Sequence, residues 1–284
     1  MSAAPAPRAL VVPAPGKVNL FLHVTGRRAD GYHTLESLFV PIDWADIVTV
    51  EARADGAIVR AQPLPGVTED DDLALRAAHA LRAAAHSTQG VTVAVDKRLP
   101  MGAGLGGGSS DAASVLLALN RLWGLALPRR ELAVIGGHLG ADVPFFLGDG
   151  PAIARGIGEA LTPVSLPALW LVIVVPDVAV GTAAIFAAPE LTRSTPSAKI
   201  DVFSEGYGRN DLEDVASARF APVARAIAAL KRASPAARMT GSGACAFAAF
   251  AHEDAAHAAA RRLPQGLAFR IVRTLARHPL ATFA

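Results

Sequence analysis

The chain has 284 residues, 52% hydrophobic and 18% charged, so it can bury a large core and falls in the size range of one or two globular domains. Its formal net charge is +2, and its lysines, Lys17, Lys97, Lys199 and Lys231, lie far apart among scattered arginines, which excludes a basic tract for gripping nucleic acid. The single cysteine, Cys245, excludes an internal disulfide, and without a run of about 18 apolar residues or an apolar leader in Met1 to Arg8 we expect a soluble cytoplasmic protein.

Leu10 to Val24 reads as strand, turn and strand. Val18, Leu20, Leu22 and Val24 alternate with Asn19, Phe21 and His23 after an interruption at Pro13, Pro15 and Gly16. Lys17 and Asn19 then share one face, and Lys17 is either a solvated strand-end charge or a cation in a site. Arg28 to Thr34 is an Asp30-Gly31 turn that sets Tyr32 and His33 side by side. Ile47 to Val50 and Ala57 to Arg60 are expected to pair as a hairpin about Asp55-Gly56. Thr68 to Asp72 is an acidic cap before a helix carrying Leu73, Ala77, Leu81 and Ala84 on one side, with His79 and His86 at the surface.

Val91 to Val95 is strand-like, and Val115, Leu116, Leu119, Leu122 and Trp123 repeat at helical spacing. Between them runs Pro100-Met101-Gly102-Ala103-Gly104-Leu105-Gly106-Gly107-Gly108-Ser109-Ser110-Asp111. Glycines let backbone N–H groups crowd round an anion, and a helix N-terminus adds unpaired N–H groups and partial positive charge, so the loop is a candidate phosphate cradle. Ser109, Ser110 and Asp111 suit N-cap positions, and either serine could instead donate to phosphate or help hold a metal. A Walker A loop requires Gly-Lys-Ser/Thr, whereas Gly108 precedes Ser109. Gly102-x-Gly104-x-x-Gly107 fits the dinucleotide fingerprint, but the following strand and its terminal acid are missing. Nor are the Val-Ala-Ile-Lys and His-Arg-Asp partners of a protein-kinase loop present. The loop belongs to another phosphate-binding fold.

Arg130 to Leu139 reads as a helix, followed by Gly140-Ala141-Asp142-Val143-Pro144-Phe145, in which Asp142 either caps a short helix or acts in catalysis. Gly148 to Gly158 is turn-rich, and a domain boundary is placed at 160 to 168. Beyond it come a strand from Leu169 to Val175, a helical start at Thr182 to Phe186 and a polar connection from Glu190 to Phe203. A helix starting at Asn210 to Glu213, a helix from Val223 to Lys231, an extended segment at Arg238-Met239 joined through the Thr240 to Gly243 turn to a strand from Ala244 to Phe250, a helix from Glu253 to Leu263 and a strand from Phe269 to Leu275 complete the chain. That order is β-α-β-β-α-β, the ferredoxin-like arrangement.

Several of these stretches together resemble the GHMP kinases, the family of galactokinase, homoserine kinase and mevalonate kinase. They are Pro15-Gly16-Lys17-x-Asn19, Asp30-Gly31-Tyr32-His33, the Pro100 to Asp111 loop, Gly140 to Phe145, Arg209-Asn210-Asp211-Leu212-Glu213 and Thr240-Gly241-Ser242-Gly243. The Gly-Tyr-His turn and the Gly-Ala-Asp-Val-Pro-Phe run are similar to those of the branch that phosphorylates cytidyl diphosphate methylerythritol in non-mevalonate isoprenoid synthesis. The resemblance implies an α+β fold of two domains, a mixed α/β domain over 1–165 and a ferredoxin-like domain over 166–284, with ATP and this small-molecule substrate between them.

It further implies that Pro100 to Ser110 hold ATP, with Mg²⁺ bridging its phosphates through ligands that the sequence does not identify. Asp142 would orient the acceptor hydroxyl and take its proton, and Lys17 would offset the developing alkoxide charge. Tyr32 and Phe186 would stack on the cytosine, His33 would read a base edge, and Asn19 and Thr182 would sit near polar groups of the substrate. A monomer or homodimer is expected, with neither nucleic acid nor membrane as partner. The chain departs from the family at Ala103, where glycine is common and alanine fits only at negative φ, and at Asp72, where the family often has an asparagine near the adenine. Another GHMP kinase such as homoserine kinase, a nucleotide-binding module without catalysis, and a dehydrogenase are the rival readings.

Overall fold

The computed structural model describes residues 8–197 and 208–283; Lys199 and the later part of the expected Glu190 to Phe203 connection lie outside the described residues. The first sheet is built on two long strands, β1 (Ala9–Arg27) and β2 (His33–Arg53), paired antiparallel over most of their length. Instead of the expected strand, turn and strand, β1 is one strand whose register slips between Pro15 and Lys17 and twice more beyond. Within the sheets β1 pairs only with β2, so the prolines at 13 and 15 remove no hydrogen bond that a second partner strand would need.

β3 (Ile58–Arg60) does not pair with β2 as the expected hairpin. It lies parallel to β4 (Gly90–Asp96), which enters between them and gives the order β3-β4-β2-β5-β6. The Asp-Gly turn forms, with Gly56 at φ 72°, but the central place goes to the more apolar strand, because Val91, Val93 and Val95 of β4 are buried and β3 is only half-buried. β5 (Ala152–Gly156) and β6 (Ala160–Pro163) make a hairpin on the early part of β2, in a stretch whose glycines and prolines read as turn alone.

One face of this sheet is covered by α1 (Leu73–Ala84), α2 (Gly107–Leu122) and α3 (Arg129–Leu139), followed by the single turn α4 (Val143–Phe146). Helix α2 runs through the middle, with Val115, Leu116, Leu117, Ala118 and Leu119 fully buried among Ala77 and Leu81 of α1 and the valines of β2 and β4. Burying a leucine contributes about 2 kcal/mol, so the helix behind the glycine loop is firmly anchored.

The second sheet has the order β10-β7-β9-β8, formed by β7 (Trp170–Val174), β8 (Arg238–Met239), β9 (Ala246–Phe250) and β10 (Phe269–Arg273), all antiparallel. With α5 (Thr182–Phe186), α6 (Glu213–Arg219), α7 (Ala221–Lys231) and α8 (Glu253–Ala260) in the connections, it is the expected ferredoxin-like arrangement. Cys245 is buried, and burial pushes its thiol up to about 12, which leaves it an inert filler.

Strand β1 joins the two sheets. Val12 and Ala14 lie in the core beneath α2, Val18, Leu20 and Phe21 in a core shared with β7 and β9, and Leu22 and Val24 in the core of the second sheet's helices. Its backbone continues the contact: Leu22 N–H donates to Arg209 O at 2.9 Å, and Asp211 N–H donates back to Leu22 O at 2.8 Å.

Candidate active site

A cleft of about 660 Å³ opens where β1, the glycine loop and the Thr240 to Gly243 turn meet. That volume is ample for a nucleotide-sized ligand. Its walls include Lys17, Asn19, Asp142 and the loop from Pro100 to Ser109, and from the second half of the chain Thr182, Phe186 and Gly241 to Gly243.

The glycine loop holds its shape through residues that need left-handed backbone: Gly102, Gly104 and Gly106 have φ of 64°, 82° and 72°. Gly106 is the N-cap of α2, so Ser109 and Ser110 stand inside its first turns and do not cap it, a correction to the expected assignment. A left-handed Gly106 takes the chain into the helix without a side-chain cap, leaving the first N–H groups open toward the cleft. Ser109 faces the cleft, whereas Ser110 is buried with its hydroxyl unpartnered. Ala103 avoids positive φ, which explains why alanine is tolerated there.

The loop is also held from both ends of the chain. Cys245 N–H donates to Ala103 O at 3.1 Å, and Lys17 N–H donates to Leu105 O at 2.8 Å. A Cβ at residue 104 would lie 2.4 Å from the Thr240 carbonyl oxygen, so the two loops touch backbone to backbone.

Lys17 and Asn19, two residues apart on β1, do share a face. The Lys17 ammonium donates to Asn19 Oδ1 at 2.6 Å, lies 5.0 Å over the ring of Phe39 and stands 3.6 Å from Asp142 Oδ2. Lys17 is only 4% exposed, and a buried ammonium requires such partners. Asn19 is fixed in turn, with its amide donating to Ser37 Oγ and its backbone N–H to Thr240 Oγ1, both at 2.8 Å. Asp142 occupies the N-cap position of α4, yet its side chain makes no capping hydrogen bond and faces Lys17. The sequence left capping and catalysis open; the geometry removes capping.

Tyr32 and His33 are placed differently from each other. Tyr32 is 63% exposed on the Asp30-Gly31 turn. His33 stacks on Phe186 of α5, ring centroids 5.1 Å apart, and accepts from Arg193 Nε at 3.0 Å. Burial, with the Arg193 and Arg27 guanidiniums nearby, holds the His33 imidazole below its usual pKa. Thr182, at the start of α5, shares a 2.6 Å hydrogen bond with Ser242.

The sequence reading missed one cluster. Lys97 donates to both Asp46 and Asp111 behind the first turn of α2, and Asp46 also accepts from the backbone N–H groups of Arg98 and Leu99. Nothing marked Lys97 beyond its rarity, because its partners lie 51 and 14 residues away. Asp72, for its part, is the N-cap of α1, accepting from Ala74 N–H at 2.9 Å and pairing with Arg60 at 3.4 Å.

Burial pushes the Asp111 carboxyl up to about 7 against the pull of Lys97, while in unfolded chain it titrates near about 3.9. Between those values the folded chain carries a proton that the unfolded chain lacks, so stability falls as pH rises, by ~1.4 kcal/mol per pH unit. Asp111→Asn is expected to remove that slope. In urea titrations, wild-type stability relative to the variant should drop by roughly 2 kcal/mol between about pH 5 and 7. A difference independent of pH would show that Asp111 stays charged.

Two families match the chain: GHMP kinases N terminal domain over residues 72–150 and GHMP kinases C terminal over residues 197–268. The 4-diphosphocytidyl-2-C-methyl-D-erythritol kinase of Cupriavidus metallidurans is 54% identical over 288 residues, covering 100% of this chain and 99% of its own. That of Thiobacillus denitrificans is 56% identical, covering 95% of this chain and 97% of its own. Among solved structures, a 4-(cytidine 5'-diphospho)-2C-methyl-D-erythritol kinase superposes with a TM-score of 0.81 at 35% identity, covering 93% of this chain and 99% of its own. Homoserine kinase from Cytophaga hutchinsonii, with a TM-score of 0.71 at 16% identity and 98% of both chains covered, shares the fold. By its sequence over its whole length, and by its fold, this chain belongs to the 4-diphosphocytidyl-2-C-methyl-D-erythritol kinase family of the GHMP kinases.

Proposed function

We propose that this chain transfers the terminal phosphoryl group of ATP to the 2-hydroxyl of 4-diphosphocytidyl-2-C-methyl-D-erythritol, a step of non-mevalonate isoprenoid precursor synthesis. The observation that carries this reading is the 3.6 Å pair of Lys17 and Asp142, set in one cleft with an open glycine loop. Phosphoryl transfer passes through a loose transition state, so the protein's task is to position the reactants and offset charge.

The backbone of Pro100 to Gly108 and the N-terminus of α2 grip the phosphates. Asp142 accepts a hydrogen bond from the acceptor hydroxyl and takes its proton as the bond to phosphorus forms. Lys17, held by Asn19, stands beside the forming alkoxide and lowers its cost. Tyr32, Phe186 and His33 hold the cytosine, while Asn19 and Thr182 contact polar groups of the substrate. In this reading 1–165 supplies the nucleotide side and 166–284 closes the acceptor side.

Among the described residues no group of three or more His, Cys, Asp or Glu could hold a metal ion. Mg²⁺ takes as few as one or two protein oxygens and completes its shell with phosphate and water, and the Ser109 hydroxyl, which faces the cleft, would hold it. When bound, the ion neutralises charge on the transferring phosphates. In this reading the enzyme acts on soluble nucleotides in the cytoplasm; separately, no helix among the described residues is long and apolar enough to cross a membrane.

Homoserine kinase activity has only the shared fold behind it. An assay coupled to ADP release should show turnover with the cytidyl diphosphate substrate and none with homoserine or mevalonate; the absence of turnover with the first would overturn the proposal.

A further inference from the structure

We infer that Arg193 fixes the tautomer of His33, so that the imidazole presents only a hydrogen-bond donor, Nδ1–H, to the base of the substrate and thereby selects cytosine over uracil. This rests on the cytidine reading above.

The argument begins with what a guanidinium can do. Arg is always protonated and carries five N–H donors and no acceptor. Arg193 Nε donates to His33 Nε2 at 3.0 Å. Whatever ring nitrogen faces it must therefore be the one without a proton, and a neutral imidazole then carries its proton on the other nitrogen. Burial, with Arg193 and Arg27 close by, disfavours the doubly protonated ring.

Arg193 is itself held in place by the chain that follows α5. Its terminal nitrogens donate to the carbonyls of Leu191 at 3.0 Å, Ala188 at 2.6 Å, Phe186 at 3.2 Å and Pro189 at 3.4 Å. One side chain thus ties the end of α5, which carries Phe186, to the start of β2, which carries His33. The stacked pair and the proton position are set together.

Cytosine and uracil are matched in shape and differ in this respect. Ring N3 of a cytosine accepts a hydrogen bond, whereas N3 of a uracil carries a hydrogen. A fixed Nδ1–H donor is complementary to the first and opposes a second N–H in the other, leaving both unpaired. A histidine free to change tautomer would turn its acceptor to uracil and lose the distinction.

The test uses the full-length chain. In nitrogen-15 spectra of labelled histidines, with His33 assigned by its disappearance in His33→Gln, the wild-type ring should carry its proton on Nδ1. Arg193→Met should release the ring to a mixture containing the Nε2–H form. In parallel, kcat/KM is measured with the cytidine diphosphate ester and with its uridine counterpart. The preference for cytidine should fall by about tenfold or more in Arg193→Met, through KM, with KM for ATP within about twofold of wild type. Arg193→Lys, which likewise only donates, should restore both the tautomer and the preference.

An Nε2–H His33 in a wild-type enzyme that turns over the cytidine ester would overturn the inference alone. So would an unchanged base preference in an Arg193→Met enzyme whose tautomer had shifted. Failure of the wild type to turn over the cytidine ester would instead overturn the functional reading. Should Arg193→Met not fold, the wild-type spectrum and Arg193→Lys decide the matter.

Discussion

Asp142→Ala is expected to lower kcat by about 10³-fold while leaving the affinity for ATP within about twofold of wild type. The separation follows from the geometry. The nucleotide is gripped by backbone of the glycine loop, whereas Asp142 sits across the cleft with its carboxylate 3.6 Å from the Lys17 ammonium. Alanine removes the group that accepts the proton and leaves the cradle untouched. The structural cost is small, because the Asp142 side chain makes no cap to α4 and is partly open to solvent. ADP-release kinetics together with calorimetric titration of ATP measure the two effects, and near wild-type turnover in the variant would remove Asp142 from its role.

A second large effect is expected at Gly104. Its φ of 82° disfavours any side chain, and an added Cβ would meet the Thr240 carbonyl oxygen at 2.4 Å. Backbone strain of this kind costs about 1–2 kcal/mol, and the contact cannot relax by turning a side chain because both partners are main chain. Gly104→Ala should therefore lose about 3 kcal/mol or more in denaturant unfolding and weaken ATP binding as the loop is pushed off the Thr240 turn. Gly102→Ala is the control. It has a similar φ of 64° but nothing within 4 Å of its added Cβ, so it should lose only the strain. Equal losses in the two variants would show that the contact between the loops carries no weight.

Motifs local in sequence were legible, and pairings distant in sequence were not. The glycine loop, Lys17 and Asn19 on one face of β1, and the helical spacing behind the loop are short-range patterns, and the structure places these segments as that spacing requires. The hairpin expected about Asp55-Gly56 failed because a good turn does not choose its strand partners. β4, arriving some thirty residues later, was the more apolar strand and took the central place. Lys97 was invisible for the same reason, since its meaning lies in Asp46 and Asp111, brought to it by the fold. Ser109, Ser110 and Asp111 suited capping by residue type, with phosphate or metal contacts left open for the serines, but a glycine in left-handed conformation already turned the corner. Arg193 had no motif to announce it, because four of its five acceptors are backbone carbonyls.

The strand β1 spans all three cores and hydrogen-bonds to residues near 210 and 240. On the ribosome this strand emerges well before Arg209, Asp211 and Thr240, which are made about 200 residues later, or roughly ten seconds or more at ordinary rates of synthesis. Lys17 and Asn19 thus spend that interval beside an unfinished wall. The site becomes complete only once residue 240 has left the tunnel, so a nascent chain stalled before it has its phosphate loop but lacks the turn that the loop rests on.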